Sequence, residues 1–174
     1  MTMQTNPLVV VLEDNLDRRS AMQAEVGDLA DLQFFGGVPE FASFVQAHSN
    51  EVAAISLDHD LILPQAEERM LTPEERILSD QLGDGVLACQ KLLDIFEGMN
   101  FPNIIVHTSN NGRRYKMLST LDVVVPDDLT NGQTVLSTDG RRNVTVVFPY
   151  NDLSWVKDVW GPAMRKLFEP ANDD

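Results

Sequence analysis

Apolar residues in this chain fall into short β-branched blocks separated by stretches with helical spacing, and the two patterns alternate. Pro7-Leu8-Val9-Val10-Val11-Leu12 is a strand-like block that ends in Glu13-Asp14. Residues 16–29 follow with Met22, Val26 and Leu29 on one helical face. Leu32-Gln33-Phe34-Phe35 predicts a second strand, closed by Gly36-Gly37. Pro39 then suits the first turn of a helix carrying Phe41, Phe44 and Val45. Val52 to Leu57 reads as a third strand buried on both faces, and it stops abruptly at Asp58-His59-Asp60. Gly83-Asp84-Gly85 opens a helix with Val86, Leu87, Leu92, Leu93 and Phe96 as its apolar positions. Asn103 to Val106 is the fourth strand, ending in His107-Thr108-Ser109-Asn110. A basic helix covers 112–121, Val144 to Phe148 is the last core strand, and the terminal helix carries Trp155, Val159, Trp160, Met164 and Leu167.

Two stretches break the alternation. Residues 62–82 predict a long surface excursion with one short helix, begun by Thr72 as N-cap, Pro73 in the first turn and Glu75 in capping-box position. Residues 122–143 predict an inserted hairpin, with Val123-Val124-Val125 and Thr134-Val135-Leu136 as β-prone arms and Asn131-Gly132 as a turn dipeptide. Strands alternating with helices indicate an α/β fold with one doubly wound parallel sheet of five strands, ordered 2-1-3-4-5. The expectation is a single domain over 1–169 and a frayed tail over 170–174.

That order changes the meaning of the strand ends. Strands one, three and four become neighbours, and ligands of such sheets bind beyond the carboxyl ends of the strands. Glu13, Asp14, Asp58 and Asp60 would then share one crevice with His59, His107, Thr108 and Ser109. Carboxylates gathered so closely repel unless a cation compensates them, and oxygen ligands with room for water suit Mg²⁺ or Mn²⁺. Asp14 and Asp58, assisted by Glu13 or Asp60, are the expected metal ligands. A competing reading makes Asp14, Asp58 and Ser109 independent helix caps.

Composition narrows the partners. A net charge of −14 argues against binding long nucleic acid through its phosphates, but leaves room for a small phosphorylated ligand held by a metal or a few arginines. The chain's one cysteine, Cys89, excludes an internal disulfide and sits among apolar helix residues as a small core side chain. No segment reaches the roughly 18 apolar residues of a membrane span, and the first six residues contain no lysine or arginine. A cytoplasmic location is expected, with no membrane partner; a homodimer or a signalling partner stays open.

Glu13-Asp14 after strand one, Asp58 after strand three and Thr108-Ser109 after strand four resemble the receiver domain of two-component response regulators. That resemblance implies a CheY-like, flavodoxin-like fold, Mg²⁺ on the acidic residues, and Asp58 as phosphoacceptor. Receivers place a lysine at the end of the last strand, whereas this chain has Phe148 before Pro149. That difference predicts that Asp58 holds no stable phosphoryl group unless another cation, such as Lys116 or Arg113, takes over.

A narrower set of motifs resembles the cyclic-phosphate-processing receiver-like family. The set comprises Leu12-Glu13-Asp14 with Arg18 or Arg19 downstream, Ser56-Leu57-Asp58-His59-Asp60-Leu61, Gly83-Asp84-Gly85, and Val106 to Asn110 continuing through Gly112 to Met117. This resemblance implies a metal-dependent phosphoesterase that opens a cyclic phosphate. His59 and His107 would be the acid–base pair, with Thr108, Ser109, Asn110 and Arg113 around the phosphate. A stand-alone receiver, or a phosphate-binding signalling module without catalysis, is the alternative.

Overall fold

The computed structural model describes residues 5–61, 72–150 and 152–169. Along β1 (Leu8–Leu12), Val10 and Leu12 enter one hydrophobic layer and Val9 and Val11 the other. β3 (Val52–Leu57), β4 (Asn103–His107) and β6 (Asn143–Val147) repeat this split. Strands buried on both faces need side chains of period two and helices on both sides. One face is covered by α2 (Val38–Ala47), α4 (Gly85–Ile95) and α5 (Asn111–Thr120), and the other by α1 (Leu16–Val26) and the C-terminal helix. Cys89 lies buried within the first layer, as its apolar setting predicts.

The α/β class and the doubly wound arrangement agree with the sequence reading. The sheet has six strands rather than five, in the order β2-β1-β3-β4-β6-β5, where β2 is Asp31–Phe35 and β5 is Gln133–Leu136. Five of the six are parallel neighbours; β5 adds an antiparallel edge against β6. The hairpin therefore differs from the expected one. β5 turns back through Ser137 to Arg142 into β6, and Val123 makes only an isolated bridge to Ser137. Asn131-Gly132 does turn the chain, with Gly132 at φ 86°, but it does so ahead of β5. Pairing with the exposed edge of a core strand offers Gln133–Leu136 a full ladder, which a free two-stranded hairpin would not stabilise as well.

The helix starts resolve which residues cap. Asn15 and Asn110 accept from the N–H groups of Arg18 and Arg113, and Asp84 accepts from Leu87. Asp14 and Ser109 are thus each displaced from the cap by the asparagine that follows, and Asp58 caps no described helix. Thr72 and Glu75 form the predicted capping box, with bonds of 3.2 and 2.8 Å, at the head of α3 (Pro73–Leu82). The rest of that excursion, 62–71, and the tail 170–174 lie outside the described residues. Leu87 and Leu29, expected to be buried, are partly exposed, because Ala88 and Cys89 fill the inward face of α4 and α1 ends at Val26.

The C-terminal helix opens with a π-helical turn, Val156–Trp160, before α6 (Gly161–Phe168). Pro162 has no N–H for the carbonyl four residues back, which disfavours a plain α-turn there. Gly161 is needed for a second reason: a Cβ there would lie 2.5 Å from the Glu25 side chain of α1. Among the described residues no helix is long and apolar enough to cross a membrane.

Candidate functional site

Because β1, β3 and β4 are adjacent, the ends of all three open onto one place. Glu13 follows β1, Asp58 follows β3, and His107 closes β4. Carboxylate oxygens of Glu13, Asp14 and Asp58 lie within 4.8 Å of one another. Glu13 is fully buried and Asp58 is 3% exposed, while Asp14 is half-buried. Burial, and next the Glu13 carboxylate, push the Asp58 carboxyl well above the ordinary range; Asp14 adds to this and Arg18 opposes it. A carboxyl raised by burial and by two carboxylate neighbours is the setting in which a divalent cation binds well. The all-oxygen donor set fits Mg²⁺ or Mn²⁺.

Behind the carboxylates runs a buried polar chain. His107 Nε2 lies 3.1 Å from Glu13 Oε2, His107 Nδ1 lies 2.8 Å from Ser56 Oγ, and Trp160 Nε1 lies 3.0 Å from the same hydroxyl. One proton arrangement satisfies every atom. Trp160 N–H donates to Ser56, the Ser56 hydroxyl donates to His107 Nδ1, and His107 Nε2–H donates to Glu13. All four residues are inaccessible to solvent, and the Trp155 ring stacks on His107 at 5.9 Å. Burial, the largest influence on Glu13, pushes its carboxyl up. The hydrogen bond and charge interaction with His107, the Arg18 guanidinium and the Asn15 N–H together overcome it, and the group stays below its ordinary value.

Among the described residues, Arg18 is a cation that reaches two of these carboxylates. Its Nη1 lies 3.4 Å from Asp58 Oδ2 and 3.6 Å from Glu13 Oε2, and its guanidinium lies 5.7 Å from the Trp155 ring centre. α1 delivers it there, four residues beyond Asp14. In the sequence Arg18 and Ser56 stand only within motifs, Lys116 or Arg113 is the expected cation, and Trp155 and Trp160 are apolar positions of the terminal helix. A serine next to the end of an otherwise apolar strand is the available signal, since a buried hydroxyl needs a partner.

The other expected site residues divide. Asp58 Oδ1 accepts the His59 N–H at 2.7 Å. His59 Nδ1 contacts Asp60 Oδ1 at 2.6 Å, and its Nε2 faces Asp84 Oδ2 at 3.6 Å without a hydrogen bond. The His59 ring thus meets Asp60 and Asp84, whereas the His107 ring meets Glu13 and Ser56. The hydrogen bond from His59 leads the influences that hold the half-buried Asp60 carboxyl low, with Asn110 and Arg113 contributing. Thr108 is buried and accepts from the Asn110 N–H, whereas Ser109, Asn110 and Arg113 are exposed. His48 pairs with Glu51 and packs on Phe44, away from the site.

Phe148 stands where the strand-end lysine was missed, and its ring is covered by Arg114 at 4.1 Å. Arg114 also donates to the Thr108 carbonyl at 2.6 Å. Beside them is an open cavity of about 410 Å³ lined by Ser109, Arg114, Tyr115, Phe148 and, from the second insertion, Asp127 and Leu129. A slightly larger groove of about 460 Å³ between α2 and α4 is remote from the carboxylates.

α4 locks the Asp58 loop from the other side. Gly85 N–H donates to the His59 carbonyl at 3.1 Å, and a Cβ on Gly85 would meet Asp58 O at 2.6 Å and His59 Cα at 2.8 Å. Those neighbours are backbone and cannot step aside cheaply. Gly85→Ala is expected to cost about 2–3 kcal/mol, as overpacking does, and to weaken divalent-metal binding by displacing Asp58. Urea midpoints and metal calorimetry on the same preparation check both; a variant as stable as wild type would show the loop to be pliable.

No family model matches the chain, and no curated protein matches it. Among solved structures it is similar to the BeF3-activated DrrB receiver domain, with TM-score 0.53 and 11% identity over 95% of this chain and all of that one. It is also similar to the Mn²⁺-bound response regulator Rcp1, with TM-score 0.57 and 13% identity over 92% of this chain and 94% of that one. The CheX–CheY–BeF3–Mg²⁺ complex from Borrelia burgdorferi gives TM-score 0.53 and 10% identity over 94% of this chain and 90% of that one. At such identities the likeness is one of fold: the chain has the fold of a response-regulator receiver.

Proposed function

We propose that residues 1–169 form a receiver-type module that binds a divalent cation at Glu13, Asp14 and Asp58 and accepts a phosphoryl group on Asp58. The observation that supports this most is the buried carboxylate cluster at the ends of β1 and β3, in the fold that metal-bound and BeF3-bound receivers share. A cation held there would offset the charge of phosphoryl oxygens. The Asp58 side chain is oriented for the transfer, since Oδ1 is held by the His59 N–H and Oδ2 faces Arg18. Thr108, Ser109, Asn110 and Arg113 border the same edge and remain candidates for contact with the phosphoryl group. The partner would be a small phosphodonor or a phosphorylated signalling protein.

Ring opening of a cyclic phosphate by His59 and His107 has less behind it. Both ring nitrogens of His107 are engaged inside the protein, and the His59 ring is paired with Asp60. The decisive experiment is incubation with acetyl phosphate and Mg²⁺, followed by intact-mass measurement. Wild type should gain one phosphoryl group, and Asp58→Asn should gain none. A wild-type protein that stays unmodified while opening nucleoside 2′,3′-cyclic phosphates would return the phosphoesterase reading.

A further inference from the structure

A phosphoacceptor in this fold faces an electrostatic difficulty: β6 ends at Val147 and is followed by Phe148, so no cation reaches the site from that strand. Arg114 is engaged elsewhere, over the Phe148 ring and on the Thr108 carbonyl. Arg113 and Lys116, the substitutes expected from sequence, are exposed on α5. Arg18, from the opposite side of the sheet, reaches both Glu13 and Asp58.

The geometry points to Arg18 as the phosphoryl-binding cation of this site, in place of a strand-end lysine, and as a built-in competitor of the divalent metal. The inference rests on the phosphoacceptor reading above. In the transfer, Asp58 Oδ2 attacks phosphorus, the bond from phosphorus to the leaving oxygen breaks, and the leaving group departs with that electron pair. With acetyl phosphate as donor the products are aspartyl phosphate and acetate, and no further reactant is needed. Phosphorus becomes bonded to the Asp58 oxygen that already faces Arg18 at 3.4 Å, which brings the phosphoryl oxygens it carries beside the guanidinium. A guanidinium offers a planar fork of donors suited to such oxygens. Its lean toward Trp155 steadies it, and its side chain, a quarter exposed, can shift outward as the phosphoryl group arrives.

The same position has a second consequence. A positive charge 3.4–3.6 Å from two of the metal's carboxylates repels the metal and shares its ligands. Removing that charge should strengthen metal binding while weakening phosphoryl acceptance. Loss of fold or of packing would lower both, so the opposite signs separate a phosphoryl-binding role from a structural one.

The test uses the full chain with Arg18→Gln, which keeps the aliphatic stem, and Arg18→Lys, which keeps the charge. Calorimetric titration with Mg²⁺ should show affinity rising about tenfold in Arg18→Gln, the size expected for one charge removed at this range in a polar site, and staying near wild type in Arg18→Lys. Incubation with acetyl phosphate and Mg²⁺, read by intact mass, should show incorporation falling at least tenfold in Arg18→Gln and partly kept in Arg18→Lys. If Arg18→Gln binds Mg²⁺ no more tightly than wild type, or takes up phosphoryl as well as wild type does, the inference is wrong. A wild type that takes up no phosphoryl group instead overturns the underlying phosphoacceptor reading.

Discussion

Asp58→Asn should melt at a higher temperature than wild type in the absence of metal, and its melting should no longer respond to Mg²⁺. Burial, then repulsion from Glu13 and Asp14, raises the Asp58 carboxyl. For a carboxyl raised on folding, the native state holds a proton that the unfolded chain has released. The associated stability is fully present below the unfolded value, 3.8, and is lost as pH rises through the folded value. Metal-free wild type should therefore lose stability as pH is raised from about 4 toward neutrality, and the asparagine variant should follow a flatter curve. Asparagine keeps an acceptor for the His59 N–H and removes the buried charge. A gain of about 1–2 kcal/mol at pH 7 is expected, or about 2–8 °C for a chain of this size. Wild type saturated with Mg²⁺ at a hundred times its dissociation constant should gain about 2.7 kcal/mol, and the variant almost none. Scanning calorimetry from pH 4 to 8, with and without Mg²⁺, reads all of this. Equal Mg²⁺ responses in the two proteins would remove Asp58 from the metal site.

The largest loss of stability is expected from His107→Phe. The ring fits the volume beside Trp155 but leaves Glu13 buried without its 3.1 Å partner, and leaves Ser56 without its 2.8 Å one. Leaving a buried charge without its partner costs about 3–5 kcal/mol. Arg18 and the Asn15 N–H still face Glu13, so the lower end, about 3 kcal/mol, is expected in urea unfolding at pH 7. The pH dependence carries a definite sign. Glu13 is depressed on folding, so its contribution is present above the unfolded value, 4.5, and is lost as pH falls through the folded value. The deficit of His107→Phe should thus be greatest near neutrality and shrink below pH 4.5, where the stranded carboxyl can protonate. A deficit that is constant with pH would mean that packing, not the Glu13 pair, is what His107 supplies.

Much of this molecule follows from local pattern. The β-branched blocks, the capping box at Thr72 and Glu75, and the polar stops at Glu13-Asp14, Asp58 and His107 are determined by propensities and periods that act over a few residues. With the neighbour rule for doubly wound sheets, those stops were enough to bring Glu13, Asp14 and Asp58 to one edge. Only the tertiary structure decided the rest. Ser56 lies 104 residues before Trp160, and no local rule says which distant donor will satisfy a buried hydroxyl. From sequence, His107 stands at the crevice as an expected acid–base residue. It is an interior residue because Trp155 and Trp160 fold over it from the C-terminal helix. Asn131-Gly132 carried a true turn signal, but the partner of the strand beyond it was set by the open edge of β6, which the sequence of the insertion does not contain. Arg18 is the sharpest case. Its helix was legible, yet its reach across to Asp58 depends on how α1 packs on the sheet, and charge pairing at such range is decided by packing rather than by spacing along the chain.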